Sequence, residues 1–578
     1  MAEFDLVLRG GLIADGSGGD PQVGDVAIRG DRIVAVGAVA GQGAREIDVA
    51  GRVVAPGFVD IHTHYDGQAI WSDRLNPSSQ HGVTTVVVGN CGVGFAPCRP
   101  GDHDLLINVM EGVEDIPGVV MAEGLDWHWE SFPQYLDALE ARPRDIDIAA
   151  YLPHSPLRVY AMGDRGAARE AANDDDLARM RTIAKQAIEA GALGFATSRT
   201  FIHRTAAGQQ IPSFDASQAE LEAVAMGLAD AGDGIIQAVL DVPMRSWDDE
   251  IAMLRAVIRK TGRPATFTLA APNSGPRLWE PVLAMLDDAR AEGQQLSAQV
   301  FPRPIGMIAG LELSTNPFSL CPTFQAIAQL PLAEKVARMR DPDFRAKLVR
   351  EAPADGHPLT QMGRAWDWMF LLTDEPDYEP ALDKSVSAIA KARGVTPEEV
   401  AYDLLLEDDG HAMLLIALGN FFEGRLDAVQ AMLDHPNVVV GLGDGGAHYG
   451  VICDASFPTF TLQHWVRDRT GSRMPLGQAV KMLAHDPART VGLHDRGLIA
   501  PGYKADINVI DLDRLRLCKP EVRYDLPAGG RRLDQRAEGY DFTIVSGAII
   551  AERDTPTSAR PGRLVRGTQS APVLEAAE

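Results

Sequence analysis

Residues 55–64 read APGFVDIHTH, and how that stretch is read decides the fold. A Pro-Gly turn releases a short apolar segment, Phe58-Val59-Asp60-Ile61, which ends in His62-Thr63-His64. Residues two apart on an extended strand point to one face. The two imidazoles therefore converge where the strand stops, a geometry that suits a divalent cation. Two polar residues at a surface turn would be the plainer reading. It fits poorly with an apolar strand feeding the pair directly and Tyr65-Asp66-Gly67 closing it off.

The chain of 578 residues is long enough for a large core and more than one domain. Hydrophobic residues make up 46% and charged residues 23%, the balance of a globular protein. No apolar run approaches the roughly 18 to 20 residues that cross a bilayer. The start, MAEFDLVLRG, has neither a basic n-region nor an apolar signal core. A cytoplasmic protein is expected. Five widely spaced cysteines (Cys91, Cys98, Cys321, Cys453, Cys518) do not suggest a disulfide framework. With 54 Lys+Arg against 80 Asp+Glu, the net charge is −26, so nucleic acid and anionic membrane are repelled. The charge is spread along the chain, which reads as solubility.

Outward from the opening stretch, residues 1–55 are short alternating strands broken by Gly and Asp turns. GSGG at 16–19 is a hairpin turn, because no Lys-Ser/Thr and no helix follow it. A second β-rich piece, 491–554, contains LIAPGYKADINVID and IVSGAII. The two ends are expected to form one small β-sandwich. Between them, 56–490 alternates apolar strands with amphipathic helices, as in GVTTVVVGN, RDIDIAAYLPH, GIIQAVLD, PATFTLAAP and NVVVGLGDGG. About eight such units point to an α/β fold, a closed (β/α)8 TIM-type barrel with its chemistry at strand C-termini. His64, Cys91, His154, Arg199, Gln237, Arg303 and Asp444 fall near those ends. Residues 305–400 break the repeat and read as an insertion over the barrel mouth, either a lid shaping an acyl pocket or a packed subdomain. Residues 555–578 are expected to be an extended or disordered arm.

Cys91, in Gly89-Asn90-Cys91-Gly92, offers an accessible thiol at a strand end, and thiolate is a good zinc ligand. A small buried hydrophobe is the alternative; Cys98 is taken as structural. Asp444, after NVVVGLG, reads on its own as a Gly-flanked turn aspartate, and a bound metal nearby would give it a further role. A divalent cation lowers the pKa of bound water to about 7, and a carboxylate beside it can take the proton and pass it to a leaving amine.

Together the segments APGFVDIHTH, HGVTTVVVGNCG, PHSPLRVYAMG, GALGFATS, GDGGAH, LIAPGYKADINVID and ARPGRLVRG resemble the amidohydrolase superfamily, and within it the N-acyl-D-amino-acid deacylases (D-aminoacylases). The resemblance implies a barrel with a β-sandwich from both termini, and zinc-dependent hydrolysis of an amide in a small N-acyl substrate. It also implies that His62, His64, Cys91 and Asp444 are metal ligands, with Asp444 catalytic. A substrate carboxylate would need a fixed cation. Arg199 and Arg303 are the candidates, with His203, Gln237 and His448 as further substrate-binding residues. His154 and Arg158 match the family's His-Ser-x-Leu-Arg stretch and are taken as structural.

One departure from the family matters. The D-aminoacylases place two more metal histidines at the ends of the fifth and sixth strands. Here those stretches carry Gln237 and no histidine, and no His lies between His203 and His357. One zinc rather than two is therefore expected, at the His62/His64/Asp444 end with Cys91. His154, His203 or His448 could supply a substitute ligand, His448 being the best placed; its other roles would be to polarise the scissile carbonyl or to hydrogen-bond Asp444. The rivals are a hydrolase of a cyclic amide, carbamate or ester on the same scaffold, and a catalytically silent assembly protein. Retention of His62, His64 and Asp444 together argues against the silent protein. Association into a homo-oligomer is left open.

Overall fold

The computed structural model describes residues 2–242, 244–273, 275, 277–353 and 362–573. Its centre is a curled sheet of eight parallel strands: β1 (Phe58–Asp60), β2 (Val83–Val88), β3 (Asp147–Pro153), β4 (Gly194–Ser198), β5 (Ile235–Val239), β6 (Ala265–Thr268), β7 (Leu296–Val300) and β8 (Val438–Val440). Each pairs with its chain neighbour in parallel register. Strands β2, β3 and β4 are buried along their whole length, as expected when helices cover one face and the barrel interior fills the other. The intervening helices bury one apolar stripe. Asp174–Glu189 shows the local logic: Asn173 caps it, three aspartates occupy its first turn, and Met180, Ala184, Ala187 and Ile188 face inward.

Between the first and last strands, the joining contacts lie just beyond the strand ends. The Asp444 N–H donates to the His62 carbonyl at 3.0 Å, and the His64 N–H to the Gly445 carbonyl at 2.7 Å. Gly446, at φ +87°, makes the turn that allows this approach, since a Cβ there would lie 2.8 Å from the His64 carbonyl carbon.

Both termini build one nine-stranded sheet. Val53–Pro56 joins them: it pairs in parallel with the N-terminal strand at Leu12–Ile13 and antiparallel with Ile507–Ile510. Leu8, Val26, Ile28, Val54, Ile507 and Ile544 form its buried core. Not all of 491–554 belongs to it. Residues 511–539 leave the sheet as two short hairpin pairings (Arg516–Leu517 with Ala537–Glu538, Glu521–Arg523 with Arg532–Asp534) and pack onto the barrel, where the Leu533 N–H reaches the Tyr449 carbonyl.

The expected insertion at 305–400 is longer than that range. Ile305–Ala309, Met369–Leu372 and Met413–Gly419 form a separate antiparallel sheet. Phe318, Met339, Leu348, Tyr402, Leu405 and Ile416 give it a hydrophobic core of its own. The strand at 413–419 was passed over because its run of apolar residues has no alternation to read. The geometry is that of a packed subdomain; residues 354–361, within the expected insertion, lie outside the described residues. From 562 to 569 the C-terminal arm runs extended under the barrel. It hydrogen-bonds the backbone at Arg144, Ile148, Gly191 and Gly492 and buries Leu564 and Val565. Residues 574–578 lie outside the described residues.

Barrel and terminal sheet meet at a buried charge cluster. Asp147, at the start of β3, accepts from Arg496 Nη1 at 2.8 Å, Lys504 Nζ at 2.7 Å and the Arg563 N–H at 3.0 Å. Burial opposes its ionisation, but the charges of Lys504 and Arg496 outweigh that and hold its pKa down at about 2. The folded-state pKa lies below the ordinary 3.8, so the cluster's stabilisation is present above about pH 4 and is lost as pH falls toward 2. Asp147→Asn should cost about 3–5 kcal/mol at pH 7, because it strands buried cations. Urea denaturation followed by fluorescence should show the loss, and the gap from the parent protein should narrow below pH 4.

Candidate metal centre

Where β1 ends, His62 and His64 turn toward the barrel axis, each with a side chain only 1% exposed. Cys91 faces them from the turn after β2, and the metal-binding atoms of these three residues lie within 4.8 Å of one another. His62 Nε2 is 3.3 Å from Cys91 Sγ and 3.6 Å from Asp444 Oδ1, while His64 Nε2 is also 3.6 Å from Asp444 Oδ1. Four donors thus converge, three from the beginning of the barrel and one from its end. Cys91 and Asp444 hold left-handed backbones, φ +56° and +47°. Non-glycine residues adopt that conformation at a cost of about 1–3 kcal/mol, and such strain concentrates at functional sites.

The surroundings set each donor's direction. His62 Nδ1 donates to Gln299 Oε1, from β7, at 2.8 Å. That bond puts the ring hydrogen on Nδ1 and leaves the Nε2 lone pair facing Cys91 and Asp444, the arrangement usual for a ligating histidine. The Cys91 N–H donates to Gln237 Oε1, from β5, at 3.3 Å. His64 Nδ1 lies 3.4 Å from Glu114 Oε1, and both atoms are buried without a hydrogen-bond partner.

The charge pattern fits a cation. Burial, with Glu114, Asp444 and Asp66 nearby, pushes the Cys91 thiol well above its usual range. Burial, reinforced by Asp444 and Asp66, does the same to the Glu114 carboxyl, and burial lifts Asp66 to about 7. Burial lowers His64 to about 4 and keeps its imidazole neutral, as a ligand must be. Against burial, the His64 hydrogen bond and the charges of His62, His64 and His448 hold Asp444 down at about 2. A divalent ion among these groups would reverse the opposition to ionising the thiol, since a coordinating thiol is deprotonated. The residues present fit such an ion.

The other expected residues fall in different places. His203 Nδ1 pairs with Ser198 Oγ at 2.8 Å, and burial together with the nearby His448 and His64 lowers its pKa to about 3. His448 faces Glu114, Nε2 to Oε2 at 3.5 Å, rather than Asp444. The two arginines expected to receive a carboxylate are already neutralised. Arg199 grips Glu250 with Nε and Nη2 at 2.9 and 3.2 Å, and Arg303 pairs with Asp454 at 2.6 Å while stacking over Tyr378. Both are buried. Contrary to expectation, neither is a free cation for a substrate, because a carboxylate from another element holds each guanidinium in the wall. His154, bridging Thr197 and Glu220, belongs to a buried network with Arg158 and offers no ligand.

Two contributors escaped the sequence reading, Glu114 and Gln299. Gln299 lies on the inward face of β7 and was legible from strand alternation. Glu114 sits at the end of the helix His103–Glu114, far along the sequence from any barrel strand end, and nothing in its local sequence points inward.

Fold and site together define a hydrolase barrel of the kind that works with a bound metal. A family model described as "Amidohydrolase family" matches residues 45–551, and the chain belongs to that family. Over 579 residues it is 28% identical to an N-acyl-D-glutamate deacylase of Alcaligenes xylosoxydans xylosoxydans, covering 98% of this chain and 97% of that one. A D-aminoacylase of the same organism is 38% identical over 195 residues, 34% of this chain and 37% of that one. Among solved structures, the N-acyl-D-glutamate deacylase of Bordetella bronchiseptica, complexed with zinc and a phosphonate mimic of the tetrahedral intermediate, superposes with a TM-score of 0.63 at 25% identity, covering 97% of this chain and 99% of that one. A D-aminoacylase crystal structure gives 0.63 at 24%, covering 97% and 100%.

Zinc-loaded, desalted protein should retain stoichiometric metal by elemental analysis, and His62→Ala or His64→Ala should lose it. Gln299→Leu removes only the bond that orients His62 and should weaken zinc affinity about 10- to 100-fold, measured by competition with a chromogenic chelator.

Proposed function

We propose that the chain is a deacylase of N-acyl-D-amino acids, hydrolysing the amide between the acyl group and the amino-acid nitrogen. The observation that carries this is the convergence of His62, His64, Cys91 and Asp444 at the open end of the barrel, in a chain aligned along its whole length with an N-acyl-D-glutamate deacylase. His62, His64, Cys91 and Asp444 would hold one divalent ion, zinc by its nitrogen and sulfur donors. When bound, that ion supplies Lewis-acid polarisation of the carbonyl and a more acidic water.

One ion rather than two is supported by the inner faces of β5 and β6. They carry Gln237 and Thr266, and among the described residues the only group of three or more His, Cys, Asp or Glu able to share an ion is His62, His64 and Cys91. Gln237 is committed to the Cys91 backbone.

The chain's own groups divide the remaining work. Asp444 is the ligand-facing carboxylate that solvent still reaches, its side chain 22% exposed against 1% for the two histidines. It takes the proton of the attacking water and returns it to the amine nitrogen as the C–N bond breaks. Its low pKa leaves it ionised and free to accept that proton, and makes it a ready donor to the amine once protonated. His448, with a side chain 30% exposed and beside Glu114, lies on the open side, where it can hydrogen-bond the acyl carbonyl. His203 packs against Ser198 near the same opening. All five cysteines are free, which supports a reducing, cytoplasmic setting. No described helix is long and apolar enough to cross a membrane.

Asp444→Asn should lower kcat about 10²- to 10⁴-fold on N-acetyl-D-glutamate, with its metal largely retained. A panel of N-acyl-D- and L-amino acids tests the substrate class: no turnover on any member would sink the reading. Chelated enzyme titrated with zinc should regain full activity at one equivalent; a further rise toward a second would overturn the single-ion proposal.

A further inference from the structure

At the barrel's opposite end, where β4 to β8 begin, lies an open basin of about 790 Å³. Its floor is made by the first residues of those strands, and one wall by the helix His485–Thr490. Four cations line it: Arg263, Arg290, Arg489 and Lys481. Two carboxylates accompany them. Asp486 is held by Lys481 at 2.7 Å and His485 at 3.1 Å, and Asp233 by Thr568 at 2.7 Å. Four positive charges against two negative leave +2 with both histidines neutral, in a chain whose net charge is −26.

The three arginines set this basin apart. Elsewhere the chain's arginines are mostly gripped by carboxylates or carbonyls, as Arg199, Arg303, Arg469 and Arg496 show. Among the described residues, Arg263, Arg290 and Arg489 have no hydrogen bond or ion pair from their guanidinium groups. Arg263 Nε is fully buried with no partner, and so is His494 Nδ1 in the same wall. Buried donors without acceptors cost about 1–3 kcal/mol each, more when charged, so this wall carries donors in excess of acceptors, and the outer guanidinium nitrogens facing the basin are the ones an anion can reach. Burial, with Arg489 and His485 close by, also lowers the His494 pKa, consistent with a positive field in the basin.

We propose that this basin binds a phosphorylated small molecule, with Arg263, Arg290 and Arg489 around the phosphate. Guanidinium forks match phosphate oxygens two at a time, and a volume of this size accommodates a nucleotide-sized ligand. The basin lies at the starts of the strands and the metal-site donors at their ends, with the inward side chains of β5 and β7, Gln237 and Gln299 among them, in between, so its occupant is not the deacylase substrate.

The test is isothermal titration of the full-length, zinc-loaded protein with adenosine monophosphate at fixed ionic strength, alongside thermal melts. Saturable binding and a raised melting temperature are expected. Arg290→Ala/Arg489→Ala, both at exposed positions, should weaken binding about tenfold or more per arginine. Arg393→Ala, on a distant surface, should leave it unchanged. No saturable binding, or equal loss in the Arg393 variant, would overturn the proposal. Equal affinity for succinate would overturn the phosphate assignment, and competition by N-acetyl-D-glutamate would place the ligand in the catalytic site instead.

Discussion

Two backbone hydrogen bonds, Asp444 N–H to the His62 carbonyl and His64 N–H to the Gly445 carbonyl, clasp the two ends of the barrel. Some 380 residues separate the partners in sequence, yet the clasp sets the carboxylate of one beside the imidazoles of the other. Everything chemical in the molecule depends on that placement. Asp444 and Cys91 both accept left-handed backbones to face the histidines, and glycines at 92 and 446 let neighbouring chain pass where a Cβ would collide.

The clasp creates an electrostatic difficulty that a cation resolves. Asp60, Asp66, Glu114, Cys91 and Asp444 lie close together in a region largely closed to water, and burial works against the charge of each. Left alone, Asp60, Asp66, Glu114 and Cys91 are pushed toward holding their protons, while Asp444 beside the histidines stays ionised. A divalent ion among them would be held by the thiol and Asp444, with the other carboxyls as counter-charges. His62 is already turned for this by Gln299.

The wider architecture keeps the clasp rigid. The terminal sheet is threaded by Val53–Pro56, immediately before β1, so the strand that carries His62 and His64 leaves a sheet built from both termini. Asp147, Arg496 and Lys504 tie that sheet to the barrel floor. The inserted subdomain has a core of its own, while Ile308, Phe370, Leu415 and Ala417 of its sheet pack into the main cluster.

The strand alternation at 58–64, the eight-fold spacing of apolar runs and the turn chemistry of the termini were local signals. They sufficed for the barrel, for a β domain built from both termini and for placing His62 and His64 together at a strand end. A family resemblance added Cys91 and Asp444. The arginines were misjudged because a strand-end position fixes where a backbone is and not where a long side chain finds its partner: Glu250 and Asp454 come from other elements. Glu114 and the unpaired arginines of the basin were invisible for the same reason. Hydrophobic period and turn preference act over a few residues, so the sequence alone determined the elements and their order. Which charges meet, and which remain without a partner, is a matter of distances across the chain, and only the tertiary structure decided it.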